Sequence, residues 1–272
     1  MKIAFSTLGC PGWSWSETVV SAKDLGYDGI ELRGLEQQMY LPKATLLTGN
    51  HLQATKEHLK KSNLQLSCLA SACYLHDSDF EAKLQEGEDY IDLAAKLGVP
   101  FVRVLGDAGP DPGINPYPRP QVKEGLQILG KSARSKGVTV LIETNGHLAD
   151  SRLLADLLED VNEPGVGILW DIHHPYRFFN EQPETTAARL GKAIKYIHMK
   201  DSKSEKGKIK YCILGAGDLP VRKILEVLLN QNYNSWLSLE WVKKWNPDLE
   251  EPGIVFPHFI TAIQRYLKEI TG

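Results

Sequence analysis

Four apolar runs in this sequence each end in a side chain able to hold a cation. Val138-Thr139-Val140-Leu141-Ile142 ends in Glu143, and Gly165-Val166-Gly167-Ile168-Leu169-Trp170 ends in Asp171. Ile194-Lys195-Tyr196-Ile197 ends in His198, and Trp236-Leu237-Ser238-Leu239 ends in Glu240. Each run reads as a strand covered on both faces, which needs a nearly unbroken apolar stretch. Taken singly, these residues have plain readings. A carboxylate at a strand end is often a helix N-cap, Asp171 before His173 and His174 suits a turn, and His198 suits a core histidine. Four ligand types on successive units point instead to one site. Three carboxylates gathered together raise one another's pKa, and a divalent cation relieves that repulsion. Three oxygen donors and one imidazole suit Mn²⁺, Mg²⁺, Co²⁺ or Zn²⁺. Neighbouring strands lie about 4.8 Å apart, so these ends share an ion only if the strands stand side by side.

The surrounding pattern supplies that arrangement. Lys2 to Ser6, Asp28 to Leu32, Leu64 to Ala70 and Phe101 to Leu105 read as four earlier strands. Helices are predicted over Ser16–Leu25, Ala44–Lys61, Phe80–Leu97, Val122–Lys136, Ser151–Leu158, Glu184–Leu190, from Pro220 to Leu229, and over Ile254–Ile270. Gly26, Gly98 and Gly137 stop three of them. Asp107 to Pro120 and the lysine-rich Ser202 to Lys210 read as surface loops. Alternation of this kind makes a parallel sheet with right-handed crossovers. Eight units fit a closed α/β barrel, (β/α)8, of the TIM type. A doubly wound open sheet is the alternative, but no phosphate-cradling glycine fingerprint follows the first strand.

Length and composition fit one domain spanning 1–272. The net charge of −3 offers no basic field for nucleic acid. No run of about eighteen apolar residues exists to span a bilayer, and the N-terminal apolar run is too short for a signal-peptide core. We therefore expect a cytoplasmic protein without membrane or nucleic-acid partners; a homo-oligomer is compatible with this composition. Cys10, Cys68, Cys73 and Cys212 lack zinc-finger spacing and read as reduced thiols. Cys10 or Cys73 as a nucleophile is the lesser alternative.

Ile142-Glu143-Thr144-Asn145, Trp170-Asp171-Ile172-His173-His174, His198-Met199-Lys200-Asp201 and Leu239-Glu240-Trp241 resemble the xylose isomerase-like TIM-barrel superfamily of sugar-phosphate isomerases and epimerases. Gly26-Tyr27-Asp28-Gly29-Ile30-Glu31-Leu32 and Leu214-Gly215-Ala216-Gly217-Asp218 are similar to that family's second-strand pattern and to its glycine turn after the seventh strand. The resemblance implies that Glu143, Asp171, His198 and Glu240 ligate one divalent metal ion, and that His174 contacts substrate or supports the ligands. The expected partner is a small carbohydrate: a sugar, a sugar phosphate or an inosose.

A cation holding a carbonyl and the adjacent hydroxyl stabilises the enediolate formed when the carbon between them loses its proton. Glu143 and Glu240 are the candidate acid–base pair, one removing the proton and the other returning it. The expected outcome is isomerisation or epimerisation; if a β-hydroxyl leaves, the same start gives dehydration, as in inosose dehydratases. Lys200, two residues beyond His198 and so on the same strand face, is a candidate substrate contact. Arg103 within the fourth strand is another, or else an ion pair inside the barrel, since an unpaired charge there is expensive. Trp13 and Trp241, with Trp245, are candidate walls for a sugar ring. Lys203, Lys206, Lys208 and Lys210, with Gly215 and Gly217, read either as a solvated loop or as a phosphate site. His147, four residues after Glu143, is placed to reach the mouth without an assigned role. Two other classes remain open. One is a DNA repair enzyme of the endonuclease IV type, whose trinuclear zinc site needs ligands that Lys208-Ile209-Lys210-Tyr211-Cys212-Ile213 does not supply. The other is a non-catalytic binding barrel.

Overall fold

A computed structural model describes residues 1–114 and 116–272. The strands are β1 (Lys2–Ser6), β2 (Gly29–Leu32), β3 (Gln65–Tyr74), β4 (Phe101–Leu105), β5 (Thr139–Glu143), β6 (Val166–Asp171), β7 (Ile194–Met199), β8 (Asp201–Glu205), β9 (Lys208–Cys212) and β10 (Trp236–Leu239). The helices are α1 (Trp15–Leu25), α2 (His51–Lys61), α3 (Phe80–Leu97), α4 (Arg119–Ser135), α5 (Ser151–Val161), α6 (His173–Phe179), α7 (Pro183–Leu190), α8 (Val221–Asn230) and α9 (Pro252–Thr271). Eight parallel strands close in the order β1-β10-β7-β6-β5-β4-β3-β2, giving a (β/α)8 TIM barrel. Among the described residues no helix is long and apolar enough to cross a membrane.

The inside of the barrel is built by strand alternation. Ala4, Cys68, Leu141, Leu169, Tyr196 and Trp236 form a buried apolar plug, with Phe101 packed against it. Successive side chains alternate faces, so the next inward residue lies two positions on. Two residues beyond Phe101, Leu141, Leu169 and Tyr196 stand Arg103, Glu143, Asp171 and His198. Two beyond Trp236 is Ser238, and two beyond that is Glu240. The polar layer is thus stacked on the plug towards the C-terminal mouth. Gly29 makes room for the plug: a Cβ there would meet the Trp236 ring at 2.8 Å. Outside the barrel, the main core lies between strands and helices. Phe5 stacks on Phe256 of α9 at 4.3 Å, and the Tyr27 hydroxyl donates to the Phe256 carbonyl at 2.8 Å.

Local chemistry sets the element ends. Ser14 and Glu17 form a reciprocal capping box at the start of α1, and Gly26 ends that helix with φ +81°. Gly98 closes α3 the same way. Three expectations need correction. The predicted helix over Ala44–Lys61 is helical only from His51; two short 3₁₀ turns precede it, and Gly49 breaks the path with φ +52°. The predicted loop over Ser202 to Lys210 lies within an antiparallel hairpin of β8 and β9, with Glu205 opposite Lys208. Lys206 and Gly207 form its two-residue turn with φ +51° and +77°, both in the left-handed region such hairpins need. A helix that sequence patterning missed, α6, begins two residues after Asp171. Of the expected loop from Asp107 to Pro120, Asn115 lies outside the described residues, and Arg119 and Pro120 already belong to α4.

Candidate metal centre

Glu143, Asp171, His198 and Glu240 converge at the mouth. Each offers one ligand atom, and these atoms all lie within 4.8 Å of one another. The His198 Nδ1 is 3.8 Å from Glu143 Oε1, 3.9 Å from Asp171 Oδ2 and 3.4 Å from Glu240 Oε1. Strand pairing sets this up, because Asp171 is in register with His198, and the Glu240 amide continues the ladder to the Met199 carbonyl. The other ring nitrogen of His198, Nε2, faces Glu31 Oε2 at 2.9 Å, and both residues are fully buried. Glu31 accepts the Nε2 proton and so aims Nδ1 at the carboxylates.

The donor set fits a cation by its unmet demands. His198 Nδ1 is buried without a hydrogen-bond partner, and such an orphaned group is costly; Asp171 Oδ2 has the Lys200 ammonium beside it. Positive side chains hold the remaining charge. Arg103 pairs with Glu143 at 3.3 Å; Lys200 pairs with Glu240 at 2.5 Å and contacts Asp171. Burial works to raise the pKa of Glu143 and of Glu240. For Glu143 the Arg103 charge and the His198 contact outweigh it, and the pKa falls below the usual carboxylate value. For Glu240 the charges of Lys200, His198 and Arg103 hold it well below. His198 and Lys200 are driven well above their ordinary values: burial opposes their charge, but the facing carboxylates, Glu31 and Glu240 for His198 and Asp171 and Glu240 for Lys200, prevail. The ion-free cluster is therefore zwitterionic, and a cation entering it must displace the proton from His198 Nδ1.

His174 sits on the first turn of α6. Its Nδ1 donates to the Thr144 carbonyl at 2.8 Å, which leaves Nε2 as the acceptor, 3.7 Å from Asp171 Oδ2. Burial lowers its pKa, partly opposed by the Asp171 charge, so the ring is a neutral acceptor. Its neighbour His173 bonds Ser202 Oγ through Nε2 at 2.9 Å. Above the cluster opens a cavity of about 340 Å³, lined by Glu143, His174, Lys200, Glu240, Arg103, Arg33, Tyr74, Asn145, Tyr211 and Trp245 among others. That volume is at the small end of ligand clefts, about 300–1,000 Å³.

The other sequence candidates are spread more widely. Trp241 is buried, its Nε1 donating to the Glu250 carbonyl at 2.9 Å, and it does not line this cavity. Trp13 packs edge-on against Phe256 and lines a neighbouring crevice. Of the three tryptophans only Trp245 borders the cavity. His147 is tied by Nδ1 to Asp107 at 2.6 Å and stands off the cavity lining. The glycine turn does not offer its amides to phosphate. Asp201 already accepts from Gly215 at 2.8 Å and from Gly217 at 3.0 Å through one carboxylate oxygen. Its other oxygen accepts from Ser202 and Leu219. The four lysines of the hairpin are exposed. All four cysteines are free, and burial pushes the Cys10 and Cys73 thiols up to about 12, against a nucleophilic role. Sequence reasoning gave no role to Glu31, Arg33 or Tyr211. Glu31 and Arg33 do follow the inward register of β2, two and four residues beyond Gly29, and that alternation was a usable signal.

A family model described as xylose isomerase-like TIM barrel matches residues 19–254. The inosose dehydratase of Clostridium tetani (strain Massachusetts / E88) is 26% identical over 134 residues, a match covering 43% of this chain and 45% of the relative. The match thus spans less than half of that relative's length. Among solved structures, L-ribulose 3-epimerase superposes with a TM-score of 0.81 at 16% identity, covering 99% of this chain and 95% of the other. A xylose isomerase-like TIM barrel protein from Mycobacterium smegmatis in complex with magnesium superposes at 0.75 with 17% identity, covering 100% and 98%. At such identities the structural likeness carries the fold.

Proposed function

This chain belongs to the xylose isomerase-like TIM barrel family, and we propose that it is a divalent-metal-dependent isomerase or epimerase of a small polyhydroxy carbonyl compound. The observation that carries the reading is the convergence of four ligand side chains on one point, with His198 Nδ1 buried there without a hydrogen-bond partner. Glu143, Asp171, His198 and Glu240 would hold the ion. When bound, it would supply Lewis-acid polarisation of a carbonyl and stabilise the negative charge developing beside it. The metal-bound protein named among the structural relatives supports the presence of an ion and leaves its identity open.

The chain's own residues do the proton work. Glu143 and Glu240 are both ionised at neutral pH and come from β5 and from the end of β10, so they approach a substrate from different sides. One, as the carboxylate, takes the proton from the carbon next to the carbonyl and becomes the carboxylic acid. In an isomerisation it returns that proton to the neighbouring carbon. In an epimerisation the other glutamate, after taking up a proton from solvent, delivers it to the opposite face, and the first releases its own proton to solvent. Such positioned groups contribute about 10²–10⁴-fold each. Arg103 keeps Glu143 charged and in place. His174, neutral and fixed by Thr144, presents Nε2 as an acceptor for a substrate hydroxyl.

A second reading has its own support. The Lys200 ammonium lies against Glu240 at 2.5 Å on the cavity lining, and would serve as the proton donor to a departing β-hydroxyl. Together with the partial match to an inosose dehydratase, this favours a lyase outcome from the same first step. The test is solvent-deuterium exchange into a panel of ketoses and inososes with Mn²⁺, Co²⁺, Mg²⁺ or Zn²⁺ added. Deuterium should enter a carbon next to the carbonyl, and Glu143→Gln and Glu240→Gln should each abolish turnover in folded protein. Turnover retained in both variants overturns the acid–base assignment, and absence of divalent-ion binding favours a binding module. Water loss with exchange selects the lyase.

A further inference from the structure

Three cationic side chains line the cavity, and two are neutralised where they stand: Arg103 by Glu143, and Lys200 by Glu240 and Asp171. The third, Arg33, makes no side-chain hydrogen bond or ion pair among the described residues, and its Nη1 is buried without a partner. Only 7% of the residue is exposed. It follows β2 directly, two residues beyond Glu31, and so continues the inward-facing series above the cluster.

Its backbone is held firmly. Thr7 Oγ1 accepts from the Arg33 amide at 3.0 Å and donates to the Gly34 carbonyl at 2.7 Å. The guanidinium lies under the Trp245 ring, 5.9 Å from its centroid. A guanidinium cannot shed its charge. Burial, together with the like charge of Arg103, presses it down from its ordinary pKa. A buried, preorganised and unmatched cation facing a ligand cavity is poised for an anion that arrives with the ligand.

We propose that Arg33 binds a carboxylate group of the substrate, so that the natural substrate is a polyhydroxy keto or aldehydo acid and not a neutral sugar. The assignment rests on the proposed function, because it places the reacting carbonyl at the cluster and the acid group at Arg33 on the lining of the same cavity. One unpaired guanidinium matches one negative charge, and its planar fork matches a carboxylate in two parallel hydrogen bonds. A phosphate, at about −1.5 to −2, would leave charge uncompensated here, and the nearby glycine turn has spent its amides on Asp201.

The test is calorimetric binding of uronates and aldonates of five to seven carbons to the purified Mn²⁺-loaded protein. Each is set against its matched neutral aldose or alditol and its matched sugar phosphate. At least one carboxylate should bind about 10- to 100-fold more tightly than its neutral partner, the range for hydrogen bonds to a charged group. Arg33→Gln should erase that preference, Arg33→Lys should keep part of it, and Mn²⁺ binding should be unchanged in both. The proposal is overturned if no carboxylate outbinds its neutral partner in the unmodified protein, a comparison that needs no variant. It is overturned equally if the preference survives in Arg33→Gln, or if the phosphate is the preferred member of each set. Failure of the metal-dependent reading would appear separately, as absence of Mn²⁺ binding or of deuterium exchange.

Discussion

Replacing Glu31 by glutamine should weaken divalent-ion binding without removing any ligand. Glu31 and His198 are both fully buried, so water does not screen their contact. The 2.9 Å bond at Nε2 determines which ring nitrogen faces the carboxylates and raises its basicity. Outer partners of this kind are worth about 10–100-fold in metal affinity, equivalent to about 1.4–2.7 kcal/mol. Mn²⁺ titration at pH 8 by calorimetry, with circular dichroism as the fold control, measures the loss. The sign of the pH dependence adds a second reading. Glu31 also favours the protonated ring that a cation must displace, so the variant's deficit should shrink as pH falls. An affinity within about twofold of the original in a folded variant would show that Glu31 neither orients nor tunes His198. A deficit that grew at low pH would refute the proton competition.

Arg103→Leu should destabilise the ion-free protein by about 3–5 kcal/mol, because it strands a buried Glu143 charge; added Mn²⁺ should recover part of the loss in urea unfolding. Asp201→Ala should cost about 3 kcal/mol and lower the Tm, since the carboxylate accepts from the amides of Ser202, Gly215, Gly217 and Leu219. An unchanged Tm would mean that water replaces it. Acid unfolding of the ion-free protein has a defined window. The depressed carboxyls of Glu143 and Glu240 contribute stability that is present above their ordinary value of 4.5 and is lost as pH falls through their folded values. The raised His198 contributes stability that is complete below its ordinary 6.5 and is lost as pH rises through its folded value. Stability should therefore drop on the acid side below about pH 4.5 and sag above neutrality. A flat profile from pH 3 to 9 would contradict the paired-charge description.

Much of this protein was legible in one dimension. The alternation of apolar runs with helical stretches specified the barrel, because parallel strands buried on both faces need uninterrupted apolar sequence and βαβ units wind one way. Glu143, Asp171, His198 and Glu240 were readable as a set, because each closes such a run and one end of a barrel collects all strand ends. Partnership across the barrel was not readable. Glu31 meets His198 across 167 positions, and only barrel closure decides which inward residue faces which. The same closure buried Trp241, neutralised Lys200 and Arg103, filled the glycine turn with Asp201, and left Arg33 alone. A residue type and its spacing declare what chemistry a side chain can do. Whether its charge is already matched depends on neighbours that closure of the barrel brings within a few ångströms.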